Sequence, residues 1–136
     1  MKRKTLSVAI FCVLILSSFT LFAEEQWDKK EGANNVAEYA SDSGSFALLD
    51  GCEFTKIKTT ASVQNGDGGT EMTADAYIQV GNYTAHATAS DTYNYSDWDV
   101  AYPSGTGSCN EWYWTIDTRN NDGDGSAWCK WRWSCN

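Results

Sequence analysis

The sequence predicts an all-β chain: a small antiparallel β-sandwich or barrel with a short N-terminal polar segment and two disulfides. Three observations predict it. After Phe46, apolar residues recur at every second position through most of the chain, the mark of strands with one buried face. Turn-forming clusters separate these runs, as at 65–69 (NGDGG), 81–82 (GN) and 119–126 (RNNDGDGS). The 136 residues contain a single proline and no sustained helical period.

The chain begins with Lys2, Arg3 and Lys4, an apolar run from Leu6 to Phe22, and Ala23 before the acidic pair Glu24 and Glu25. This is the layout of a secretory signal peptide over residues 1–23, cut after Ala23. An uncleaved membrane anchor is the competing reading, because the run is close to the length that spans a bilayer. The small residue at the cut and the abrupt polar switch after it favour cleavage. The protein is therefore expected to be secreted or extracellular, or periplasmic in a Gram-negative cell. Cleavage leaves seven basic against eighteen acidic residues, a formal charge of −11. Such a surface repels phosphate backbones and argues against nucleic acid as a partner. It accommodates Ca²⁺ or basic protein partners more readily.

Residues 24–45 are rich in charge and small polar residues, and they read as a polar leader, flexible or forming a short helix around Val36, Ala37, Tyr39 and Ala40. Residues 46–136 read as one antiparallel β domain. Within it, Ile57, Thr59, Ala61 and Val63 form one alternating face, Met72, Ala74, Ala76, Ile78 and Val80 a second, and Tyr83, Ala85, Ala87 and Ala89 a third. With NGDGG and Gly81-Asn82 as tight turns, these predict a meander of strands over roughly 53–64, 70–80 and 83–90. Farther on, Trp112, Trp114 and Ile116 alternate with polar residues, as do Cys129, Trp131 and Trp133 with Lys130 and Arg132. Joined by the 119–126 turn, these predict a hairpin with Trp112 opposite Trp133 and Trp114 opposite Trp131. Alternation then puts Trp131 and Trp133 in the core and turns Trp128, Lys130 and Arg132 outward.

Cys12 leaves with the signal peptide, so Cys52, Cys109, Cys129 and Cys135 remain for two disulfides. A zinc site has less support, since there is no CxxC and the lone His86 lies far from the cysteines. An extended strand separates Cys129 from Cys135 by about 20 Å. The preferred pairing is Cys109 with Cys135 and Cys52 with Cys129.

Two stretches hold candidate binding residues. The segment 90–108 has the length of a functional loop. It presents Tyr93, Asn94, Tyr95, Asp97, Trp98, Asp99 and Tyr102, rings that stack on sugars beside groups that bond their hydroxyls. Trp128, Lys130 and Arg132 supply a second surface. Asn120, Asp122 and Asp124 have the i, i+2, i+4 spacing that opens a calcium loop, but the twelfth position is Trp131 rather than Glu, and the same residues are ordinary turn formers. Asp91, Asn94, Asp97 and Asp99 form a second oxygen-rich group beside aromatic residues, a composition shared by calcium sites, sugar sites and solvated loops alike. Asn82-Tyr83-Thr84 and Asn94-Tyr95-Ser96 fit the N-glycosylation pattern. With one histidine and no GxSxG, no catalytic constellation is identifiable, and the chain does not read as an enzyme. The reading is a secreted, disulfide-stabilised β module that binds glycans or a cell surface, with calcium as a candidate ion. The alternatives are a membrane-active protein docking through exposed tryptophans, and an inhibitor or structural surface protein.

Overall fold

The computed structural model describes residues 26–136. The expected signal peptide, residues 1–23, and Cys12 lie outside the described residues. Eight strands follow in order: β1 (Lys29–Val36), β2 (Tyr39–Ala47), β3 (Cys52–Gln64), β4 (Met72–Val80), β5 (Tyr83–Asp91), β6 (Tyr95–Ala101), β7 (Ser108–Asp117) and β8 (Asp124–Cys135). They form two antiparallel four-stranded sheets, β1-β8-β3-β6 and β2-β7-β4-β5, packed face to face as a sandwich. Among the described residues there is no helix.

The alternating residues face inward as the periodicity requires. The core holds Phe54, Ile57, Ala61 and Val63 of β3, and Met72, Ala74, Ala76, Ile78 and Val80 of β4. Ala85, Ala87 and Ala89 come from β5, Trp112, Trp114 and Ile116 from β7, and Ala127, Cys129 and Trp131 from β8. The indoles of β7 and β8 fill the centre. The alanines of β5 let that strand close down on β3 and β6.

Four expectations about connectivity and order are corrected. First, residues 29–47 are neither a flexible leader nor a helix. They form two edge strands, with β1 on β8 and β2 on β7. Their sequence lacks an apolar stripe because the partner strand supplies the bulk. A Cβ at Gly44 would lie 3.0 Å from Trp112 Nε1, and one at Gly32 would lie 2.6 Å from Trp128 Cε3. Glycine and small residues at these positions make room for indoles that the neighbouring strands carry.

Second, NGDGG does not turn a hairpin. β3 and β4 belong to opposite sheets, and the loop arches between them with Asn65 and Gly68 at positive φ (62° and 79°). It is pinned from outside: Asn65 N–H donates to Asn94 Oδ1 at 2.9 Å, and Asp67 N–H donates to Asn121 Oδ1 at 2.9 Å. Of the expected meander, the β4–β5 hairpin at Gly81-Asn82 stands. Third, the 119–126 segment is also an arch. β7 and β8 lie in different sheets, so Trp112 and Trp114 face Trp131 across the core instead of pairing with it along a hairpin. Fourth, 90–108 is not a structureless loop, because Tyr95–Ala101 is strand β6 on the edge of β3.

The disulfide expectation is corrected as well. Cys52 and Cys135 stand opposite each other where β3 pairs with β8, and they form the single bridge among the described residues. Cys109 and Cys129 are free buried thiols. Cys129 Sγ lies 3.2 Å from the carbonyl oxygens of both Tyr77 and Tyr113, which share its one S–H donor, whereas Cys109 Sγ donates to the carbonyl of Glu111 at 3.5 Å. Burial pushes the Cys129 thiol up to about 12 and the Cys109 thiol up to about 11. Both therefore behave as small apolar core groups.

Candidate functional site

The outer face of the β1-β8-β3-β6 sheet is set by the polar halves of its alternating strands. Strand register turns these into rows. Lys30 of β1, Lys130 of β8 and Lys58 of β3 are direct neighbours across three strands. The next row is Gly32, Trp128, Thr60 and Trp98, and the row beyond it carries Ser126, Ser62 and Ser96. On the other side of the lysines, Lys56 pairs with Arg132. Of the seven Lys and Arg residues from position 26 onward, five are thus on one face of an acidic chain.

Side-chain size shapes this face into a groove. β3 contributes Thr60 and Ser62, both short, while Trp128 and Trp98 rise on the strands to either side. The groove has a volume of about 460 Å³, within the range of ligand sites. Its walls are the two indoles, and its floor is made of hydroxyls and amides from Asn34, Thr60, Ser62, Gln64 and Ser126. A second hollow of about 450 Å³ continues from Ser62 and Ser96 to Asn94 and Tyr95. From Lys58 to Gln64 the groove follows β3 for roughly 20 Å, at about 3.3 Å per residue.

The lysines are held against the walls. Lys30 Nζ lies 4.6 Å and Lys130 Nζ 5.8 Å from the Trp128 ring centre, and Lys58 Nζ lies 5.3 Å from that of Trp98. None of the three forms an ion pair with a carboxylate among the described residues. Partial burial, then the charges of Lys30 and Lys58, hold the Lys130 ammonium below its usual pKa. Lys56 is covered: Trp27 and Tyr102 lie over its ammonium at 5.1 and 5.2 Å, and Arg132 also stacks toward Trp27 at 5.7 Å.

The structure brings together Trp98, Trp128 and Lys130 from the two stretches singled out in the sequence, with Asn94 and Tyr95 in the adjoining hollow and Arg132 and Tyr102 at the opposite end. Tyr93 stands apart, its hydroxyl at the NGDGG arch, where a Cβ on Gly68 would meet it. Asp97 and Asp99 have a structural duty. Asp99 Oδ2 accepts from His86 N–H at 3.0 Å and Asp97 Oδ2 from Thr88 N–H at 3.1 Å, so side chains of β6 close the sandwich onto the edge of β5. Asp91 likewise caps the amides of Thr92 and Tyr93.

The 120–125 segment is organised by Asn121, a residue outside the i, i+2, i+4 spacing of Asn120, Asp122 and Asp124. Its Nδ2 donates to the carbonyls of Thr70 and Thr92, and its Oδ1 receives the Asp67 amide. Asn120 and Asp122 border a separate polar cleft with Glu71 and Arg119, while Asp124 is in β8 opposite Gln64. No group of three or more His, Cys, Asp or Glu side chains suited to a cation occurs among the described residues.

On the opposite outer face, His86 Nε2 contacts Asp75 Oδ1 at 2.8 Å and Thr88 Oγ1 at 3.3 Å. Both partners meet the same ring nitrogen. A triad would place the hydroxyl and the carboxylate on different ones.

The residues missed in the sequence are Lys30, Lys58, Thr60 and Ser62. The outward direction of Lys58, Thr60 and Ser62 was legible in the alternation of β3, whereas Lys30 lies in a stretch with no alternating pattern; the neighbours of all four depend on β8 pairing with β1 and β3, which no local signal announces. No family model matches this chain, and no match was found to a curated protein or a solved structure.

Proposed function

We propose that this protein is a secreted glycan-binding module whose ligand lies along β3, between Trp98 and Trp128. The carrying observation is that the two indoles flank Thr60 on adjacent strands, above a floor of hydroxyls. Indole faces stack on the apolar faces of sugar rings, and hydroxyls and amides bond the ring substituents. The groove is open and elongated, a shape suited to several residues of a chain. The Cys52–Cys135 bridge accords with an oxidising compartment.

A glycan array run with and without calcium tests the reading, and it treats calcium as a separate question. Binding by the parent protein and its loss in Trp98→Ala are the expected results. Trp98 is 63% exposed, so its removal leaves the core intact. Absence of binding to any saccharide in either condition refutes the proposal. Docking on neutral bilayers is the second reading, favoured by indoles and ammonium groups sharing one face. Flotation with neutral vesicles separates the two.

A further inference from the structure

The lysine row defines the class of glycan; this inference rests on the reading above. Like charges directly opposite each other in a sheet destabilise it. Lys30, Lys130 and Lys58 nonetheless occupy consecutive strands at one register position, in a chain with nearly twice as many acidic as basic residues. No carboxylate among the described residues relieves them. Asp97 borders the groove, but its Oδ2 is committed to the Thr88 amide. Only the indole faces of Trp128 and Trp98 offset the three charges, and a local rule broken with no opposite charge to balance it marks a place where a protein meets something else.

The row also sits where a ligand would use it. Lys58 lines the groove itself, next to Trp98, and Lys130 and Lys30 flank Trp128 on the other wall. A sugar ring stacked between the indoles would therefore have ammonium groups beside it at one end and neutral hydroxyls at the other. Lysine supplies a mobile point charge on a flexible stem, which suits a substituent on a flexible saccharide.

We propose that the groove takes an anionic saccharide, with a ring carboxylate or sulfate held by Lys58, Lys130 and Lys30 and the adjoining rings lying over Thr60 and Ser62. A single charged substituent near Trp98 and Trp128 satisfies the row. The rest of the chain repels anions, and this confines recognition to one face.

The test uses the full mature chain in calorimetric titrations with two matched pairs: a galacturonate hexamer and its carboxyl-reduced form, and a sulfated galactan hexamer and its desulfated form. At least one acidic member should bind roughly tenfold or more tightly than its neutral partner, with affinity falling as salt rises. Lys58→Gln and Lys130→Gln should each weaken that acidic ligand roughly tenfold, weaken the neutral one by much less, and show a melting temperature equal to or above the parent's. Lys58→Arg should restore acidic binding. A purely structural lysine would lower stability and affect both ligands alike. Equal binding of the acidic and neutral members, with no effect of either Gln variant, overturns the charge assignment and leaves glycan binding standing. No saccharide binding, or capture only by phospholipid vesicles, overturns both.

Discussion

Replacing Cys52 and Cys135 together by Ala tests the architecture most directly, because the bridge joins residues 83 apart and the sequence alone argued for a different pairing. The bridge ties the first residue of β3 to the last of β8, the pair of strands at the centre of one sheet. Closing a loop of this length removes denatured-state entropy worth about 4.5 kcal/mol at 25 °C in the chain-entropy treatment. For a domain near this size, roughly 4 °C of melting temperature accompanies each kcal/mol, so the double variant should melt about 15–20 °C lower. Equilibrium urea unfolding under non-reducing conditions measures the free-energy difference directly. The control is Cys109→Ala with Cys129→Ala, which removes two buried sulfurs and should cost about 2 kcal/mol through lost packing. Thiol alkylation in denaturant should label both of these cysteines and neither Cys52 nor Cys135. A loss below about 1 kcal/mol from the Cys52/Cys135 variant, or a bridged peptide containing Cys109 or Cys129, would refute the reasoning.

Three further outcomes are expected. Asp97→Ala with Asp99→Ala removes the acceptors for the Thr88 and His86 amides; it should cost about 2 kcal/mol and expose the β5 edge to self-association, and an unchanged melting temperature with a monomeric profile would contradict the seam. Alkali should destabilise the protein. The Cys129 and Cys109 thiols are raised from 9.0 to about 12 and about 11, so the unfolded chain loses these protons first and stability falls as pH climbs above about 9. Burial and the carboxylates of Asp75 and Glu111 raise Tyr113 in the same direction. The urea midpoint should drop between pH 9 and pH 11 less steeply in Cys109→Ala/Cys129→Ala; identical slopes would show that the thiols are not responsible. Gly32→Val places a Cβ 2.2 Å from the Ala127 carbonyl and 2.6 Å from Trp128 Cε3, which displaces β1 and tilts the groove wall. It should reduce saccharide affinity at least tenfold and quench or shift indole fluorescence, and unaltered binding would separate Trp128 from the site.

The β character, the inward faces of β3, β4, β5, β7 and β8, and the division of residues 127–135 (AWCKWRWSC) into a core half and an outward half could all be read from the period-two pattern. That pattern is local, since each strand declares which of its sides avoids water. Lys130 and Trp128 on the outward half were legible for the same reason, whereas Trp98 stood out only through the aromatic composition of a segment expected to be a loop.

Which strands meet was another matter. An Asn-Gly or Asp-Gly stretch reverses the chain equally well within a sheet or between sheets, so the hairpins expected at NGDGG and RNNDGDGS are arches in the structure. Here the arch is selected by contacts from far away, through Asn94 and Asn121. Gly32 and Gly44 made β1 and β2 look unstructured, because what these strands contribute is the space that the indoles of other strands occupy. The cysteine pairing and the lysine row have the same origin. Both follow from β3 lying beside β8, a neighbour relation fixed by the packing of two whole sheets, in which the residues concerned stand 83 and 72 positions apart along the chain.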